Sequence, residues 1–215
     1  RFGAPLILHA LSTIIIIYSD RLFIAKMVNL EQMGLYSAGF QIGMVISLLQ
    51  NSFNQAWTPW LFEKLNGDSY TVKRKIVKIT YIYIVAILAF VSVFYIVTPF
   101  IMSTFIADRY SEAILFVPWV ALGFAMNGMY KMFVGYLFYL KRTGYIAALT
   151  IITAVVNIAL NYVLIGHFGT IGAAYATCLS FTLQAALAWM FSSRLYPMPW
   201  FDFLAADTRV SGGQK

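Results

Sequence analysis

The 215-residue sequence is 61% hydrophobic and 11% charged, with a mean hydropathy of +0.77. Soluble proteins carry about 25% charged residues, so this chain lacks the polar surface to enclose a water-soluble core, and a soluble enzyme is excluded. Fifteen Lys+Arg against eight Asp+Glu give a net charge of +7, which in so apolar a chain points to basic cytoplasmic loops and contact with anionic membrane lipids rather than to nucleic acid.

A helix needs about 20 mainly apolar residues to cross the hydrocarbon layer. Six stretches qualify, over residues 3–25, 35–61, 77–105, 112–140, 145–165 and 170–192. The expected fold is all-α: a polytopic membrane protein whose residues 1–195 form a six-transmembrane-helix bundle. Phe2 to Tyr18 lacks both a basic leader and a small-residue cleavage site, so no signal peptide is expected, and the chain reads as a piece of something longer.

The first span carries His9 and Ser12 one turn apart and ends on Ser19-Asp20-Arg21. His9 is read as a hydrogen-bonded interior group or a proton carrier. Asp20 and Arg21 point about 100° apart on a helix; they cap the span at the interface or project into an outward vestibule. In the second span Ser47, Asn51, Asn54 and Thr58 follow i, i+4, i+7 and i+11, widened by Gln50 and Gln55. Such a polar seam either bonds helix to helix or lines a solvated path, and its amides make this span the better cavity candidate. Trp57 and Trp60 close it at the expected cytoplasmic interface, with Pro59 between them.

Glu63 to Lys75 then reads as a polar turn leading into a basic helix start that reaches Lys78. Asp108 to Glu112 separates spans three and four. In span four, Lys131 lies ten residues before Lys141, about 15 Å along the helix and so near the bilayer midplane. Asn127 sits one turn before it and Gly135 one turn after. A lysine at that depth costs about 2.5–3.5 kcal/mol; it either snorkels or pairs with a carboxylate from an absent part of the chain, or binds an anionic group within a cavity.

Lys141-Arg142-Thr143-Gly144 and Gly166-His167-Phe168-Gly169 are the last two turns. Thr150, Thr153, Asn157 and Asn161 form a seam in span five, and Thr177, Ser180 and Gln184 one in span six. The single Cys178 is expected as a small buried residue. Residues 196–215 form an interfacial or mobile tail, in which Pro197 and Pro199 end the helix and Trp200 suits the headgroup region.

Alternating spans collect Arg1, Lys64, Lys73, Arg74, Lys75, Lys78, Lys141, Arg142 and Arg194 on one side. The other side has only Arg21, Lys26 and Arg109, each beside acidic residues. The basic side is therefore expected in the cytoplasm. No zinc-protease, CxxC, phosphate-loop or Gly-x-Ser-x-Gly pattern occurs, so neither a catalytic group, a metal nor a cofactor is expected.

Ser19-Asp20-Arg21, Glu31-Gln32-Met33-Gly34-Leu35-Tyr36-Ser37-Ala38 and Ala56-Trp57-Thr58-Pro59-Trp60-Leu61-Phe62 resemble the second half of bacterial polysaccharide flippases of the O-antigen type. So do Asn157-Ile158-Ala159-Leu160-Asn161-Tyr162 and the segment from Phe168 to Thr177. Those flippases fall within the multidrug/oligosaccharidyl-lipid/polysaccharide exporter superfamily, and the resemblance covers residues 1–197. It implies one half of an alternating-access transporter in the bacterial inner membrane, flipping undecaprenyl-pyrophosphate-linked oligosaccharide for polysaccharide or lipopolysaccharide synthesis. Its implied partners are the lipid-linked oligosaccharide, the N-terminal half of the same transporter and the glycan polymerase machinery. In that setting Lys131 suits the pyrophosphate, and Asn127, Asn51, Asn54, Arg21 and Asp20 are the other candidate substrate contacts. A peptidoglycan-precursor flippase or a drug exporter shares the architecture, although a drug exporter favours intramembrane carboxylates. A membrane glycan polymerase or ligase needs catalytic groups on a large outer loop, and the longest one here has about ten residues.

Overall fold

The computed structural model describes residues 3–67, 69–105 and 108–202; Arg1 and the tail beyond 202 lie outside them, as do the side chains of Arg109 and Tyr110. The elements are α1 (Gly3–Met27), α2 (Leu30–Gly43), α3 (Val45–Leu65), α4 (Tyr70–Phe105), a 3-10 helix (Asp108–Leu115), α5 (Val117–Tyr139), α6 (Thr143–Phe168) and α7 (Ile171–Leu195). The protein is an all-α polytopic membrane bundle.

Among the described residues, five stretches are long and apolar enough to cross a membrane: Ile7–Met27, Leu30–Leu65, Tyr70–Phe100, Thr143–Phe168 and Ile171–Leu195. The sixth expected span, α5, carries polar and small residues because it sits inside the bundle: 15 of its 23 residues are buried. It packs against α7 most extensively and also touches α2, α3, α4 and α6, while α1 pairs with α6 and α6 with α7. A helix surrounded by helices need not be apolar all round. Its opposite is α4, where only 17% of the most apolar stretch is buried and Ile82, Val85, Val93 and Ile96 face outward.

The second span departs from the expected 35–61. It starts at Leu30, because the Asn29 side chain accepts a 2.7 Å hydrogen bond from the Gln32 backbone and caps the helix. It is also interrupted at Met44, where the Ser47 amide bonds to the Met44 carbonyl at 2.8 Å. There α2 presses on α5 so closely that a Cβ on Gly43 would lie 2.7 Å from Val120 Cγ1. Helix α4 likewise begins at Tyr70 rather than 77, so Lys73, Arg74, Lys75 and Lys78 ride on two basic turns below an apolar rod. The fourth span begins as the 3-10 helix, and Pro118 opens α5, where its missing N–H costs nothing. Gly166 and His167 belong to α6, which runs to Phe168; Gly169, at φ 66°, makes the turn.

The basic ends lie together. Tyr139 on α5 donates to Asn66 Oδ1 beyond α3 at 3.0 Å, and Lys73 at the start of α4 stands 5.1 Å over the Tyr196 ring after α7. A cysteine at the exposed Ser69 is expected to resist membrane-impermeant thiol reagents applied outside intact cells; ready labelling would reverse the orientation.

Two interfacial expectations need correction. Trp57 and Trp200 are buried, at 4% and 6% exposure. Trp57 stacks with Phe53 and meets Trp60 at a tilt, while Trp200 packs edge-on against Phe133 and Tyr136. The first part of the tail therefore folds back onto α5, where aromatic burial outweighs a position among headgroups. Tyr81 donates to the Trp200 carbonyl at 3.1 Å and Tyr70 to Asp202 at 3.0 Å.

Candidate functional site

The seam on α3 faces α5, and that pairing makes the site. Lys131 on α5 donates through Nζ to Asn51 Oδ1 on α3. Two cavities meet at this lysine. One, of about 240 Å³, is bounded by α1, α3, α5 and α7 and lined by His9, Ser47, Gln50, Asn51, Asn127, Tyr130, Lys131 and Gln184 among apolar residues. The other, of about 380 Å³, lies nearer the basic end and is lined by Asn54, Thr58, Phe62, Lys131, Val134, Gly135 and Phe138. Lys131, Asn51, Asn127 and Asn54 therefore come together, with the lysine between two hollows and Gly135 in the wall of the second.

Among the described residues no carboxylate lines either cavity. The amide partner of Lys131 accepts a hydrogen bond and leaves the charge intact. The remaining donors of the ammonium suit an anionic oxygen, and hydrogen bonds to a charged group contribute about 1.5–3 kcal/mol each.

Asp20 and Arg21 are elsewhere. Asp20 is wholly buried, so it neither caps the interface nor faces a vestibule. Helix α2 brings Tyr36 and α7 brings Thr177 to its Oδ2, the latter donating at 3.2 Å. Arg21 folds back rather than pointing away: Nη1 donates to the Ile17 carbonyl at 2.8 Å and lies 4.0 Å from Asp20 Oδ1. Its guanidinium stands 4.4 Å over the Phe40 ring. Both residues tie helices together and neither lines the Lys131 cavities.

The seams of α6 and α7 serve the same end. Ser19 donates to Asn157 Oδ1 at 2.8 Å, Asn157 Nδ2 donates to Ser180 at 3.1 Å, and Asn161 Nδ2 reaches Asn157 Oδ1 at 3.1 Å. All four residues are buried; the Ser19 and Ser180 bonds join α6 to α1 and α7 and are worth about 0.6 kcal/mol each on average in membranes, while the Asn161–Asn157 bond runs within α6 and orients the shared amide. Gln184 is the exception, being drawn to the first cavity.

Sequence reasoning overlooked Tyr130, which neighbours Lys131, and gave Gln50 and Gln184 no role beyond their seams. Each is buried with a polar atom lacking a partner. The signal was present in the type of residue, since amides and phenols rarely go unpaired inside a protein. A third cleft, of about 580 Å³ between α4, the 3-10 helix and α5, is lined mainly by apolar residues and holds none of the predicted contacts.

Residues 1–65 match the family described as polysaccharide biosynthesis protein. The chain is 26% identical over 162 residues to Lsg locus putative protein 1 of Haemophilus influenzae, covering 74% of this chain and 39% of that one. It is 36% identical over 72 residues to an uncharacterized membrane protein of the same organism, 34% of this chain and 18% of the relative. The chain resembles the polysaccharide flippases of the exporter superfamily. Its fold matches the Vibrio cholerae MATE transporter VcmN, crystallised in the bent form, with a TM-score of 0.77 at 20% identity, over 98% of this chain and 48% of VcmN. The chain thus spans less than half the length of each of these proteins. In this bundle Lys131 stands on the most enclosed helix, α5, facing the seam of α3.

Proposed function

We propose that the chain is part of a transporter that flips undecaprenyl-pyrophosphate-linked oligosaccharide across the bacterial inner membrane for polysaccharide synthesis, of O-antigen type. The observation that carries this reading is Lys131, a half-buried cation held by an amide between two cavities that, among the described residues, no carboxylate lines. Its charge would meet the pyrophosphate, while Asn51, Asn54 and Asn127 offer amides to the adjoining groups. Helix α3 also exposes Asn51, Ser52 and Gln55, a face that hydrocarbon would penalise and that suits a second helical half across a watery cleft. The buried carboxylate Asp20 is already held by Tyr36 and Thr177, which weighs against a drug exporter that binds cations through an open acid.

The test uses the complete transporter that contains this chain, in proteoliposomes carrying a fluorescent undecaprenyl-pyrophosphate-linked oligosaccharide on the outer leaflet. Accessibility to an impermeant lectin is followed with time. Protein-dependent loss of accessibility is the expected result; a rate equal to that of protein-free vesicles would overturn the reading.

A further inference from the structure

The first cavity has a chemistry that Lys131 does not explain. Gln50, Tyr130 and Gln184 are 1%, 4% and 2% exposed. Both amide atoms of Gln50, the Tyr130 hydroxyl, Gln184 Oε1 and His9 Nδ1 are buried without a hydrogen-bond partner. Leaving such a group unpaired costs about 1–3 kcal/mol, and native structures leave only a few per hundred residues. Here they gather from α1, α3, α5 and α7 around one hollow.

The kinds of unpaired atom narrow the ligand. Gln50 Nε2 is a donor, Gln50 Oε1 and Gln184 Oε1 are acceptors, and the Tyr130 hydroxyl is both. An anion supplies acceptors only and would leave both amide oxygens unmet. Sugar hydroxyls donate and accept at once. The walls between these groups include Ile16, Phe124 and Phe181, apolar surfaces that suit the C–H face of a sugar ring. At about 240 Å³ the cavity lies below the ~300–1,000 Å³ of sites for drug-sized ligands, which suits one ring rather than a chain.

We propose that this cavity is a subsite for a single neutral sugar residue, held by Gln50, Tyr130, Gln184 and His9 beside Lys131. It rests on the reading of Lys131 as the counter-charge of a lipid-linked pyrophosphate, and it assigns the sugar next to that pyrophosphate to the hollow on the side of Lys131 away from the basic end.

The test separates sugar from charge. The full chain in nanodiscs is titrated with methyl glycosides of glucose, galactose and N-acetylglucosamine, read by saturation-transfer NMR, and with inorganic pyrophosphate, read by calorimetry. At least one glycoside is expected to bind. Tyr130→Phe should weaken it by about 3- to 10-fold, the equivalent of one hydrogen bond, without changing pyrophosphate binding. Because the hydroxyl has no protein partner, Tyr130→Phe should also leave thermal stability unchanged or raise it. Gln50→Leu should act in the same direction on the sugar. Lys131→Ala should remove pyrophosphate binding and spare the glycoside. Absence of any glycoside signal, unchanged affinity in both Tyr130→Phe and Gln50→Leu, or a destabilised Tyr130→Phe protein would overturn the subsite. Glycoside binding with no pyrophosphate binding would instead sink the reading of Lys131 and leave the subsite standing.

Discussion

Lys131→Ala is expected to slow flipping of the lipid-linked oligosaccharide by about 10- to 100-fold, corresponding to the loss of about 1.5–3 kcal/mol from hydrogen bonds to a charged group. Two cavities share this side chain, and no acid among the described residues lines either of them. Insertion should not suffer, since a lysine at midplane depth costs about 2.5–3.5 kcal/mol that alanine avoids. Truncation also releases Asn51, whose Oδ1 loses its donor; that residue is exposed and can turn to water. Lys131→Arg keeps the charge but replaces a compact ammonium by a planar fork, so part of the activity should remain. The measurement is the proteoliposome assay, with expression and melting temperature recorded for each variant. A normally expressed Lys131→Ala protein that flips at the wild-type rate would make the lysine structural.

That residue was legible because its clue is one-dimensional. Ten residues of helix between Lys131 and Lys141 fix its depth, and apolar runs locate the spans whatever their neighbours. Asp20 shows where such reasoning stops. Its partners, Tyr36 and Thr177, stand 16 and 157 residues away, and nothing in α1 alone distinguishes a buried network from an interfacial cap. The grouping of Gln50, Tyr130 and Gln184 was hidden for the same reason, since it depends on α3, α5 and α7 meeting around one cavity. Gly43 permits close packing or bending in a membrane helix, and contact with Val120 places the interruption beside it, at Met44. Trp200 misled in the other direction, its headgroup preference yielding to a pocket formed with Phe133 and Tyr136.

Gly172→Ala is expected to be among the most damaging single-methyl changes in the bundle. The α6–α7 turn is only two residues long, so α7 starts hard against the end of α6. A Cβ on Gly172 would lie 2.2 Å from the Leu164 carbonyl oxygen and 2.7 Å from the Ile165 amide nitrogen. These are backbone atoms in a helix, and no rotamer change can clear them. The two helices would have to part, and their separation would pull on the Asn157–Ser180 bond and on the Thr177 contact to Asp20. Overpacking of an ordinary core costs about 1–3 kcal/mol; a clash with fixed backbone, plus strained interhelical bonds, should reach the top of that range or exceed it. Gly144→Ala is the matched control, because that glycine is helical with nothing within 4 Å of an added Cβ. There the better helix propensity of alanine should stabilise by up to about 1 kcal/mol. Thermal unfolding of the two variants in the same detergent should therefore move in opposite directions. A Gly172→Ala protein as stable as wild type would mean that α6 and α7 can separate freely at this turn, and that the hydrogen-bonded seam between them, rather than their close approach, holds the pair together.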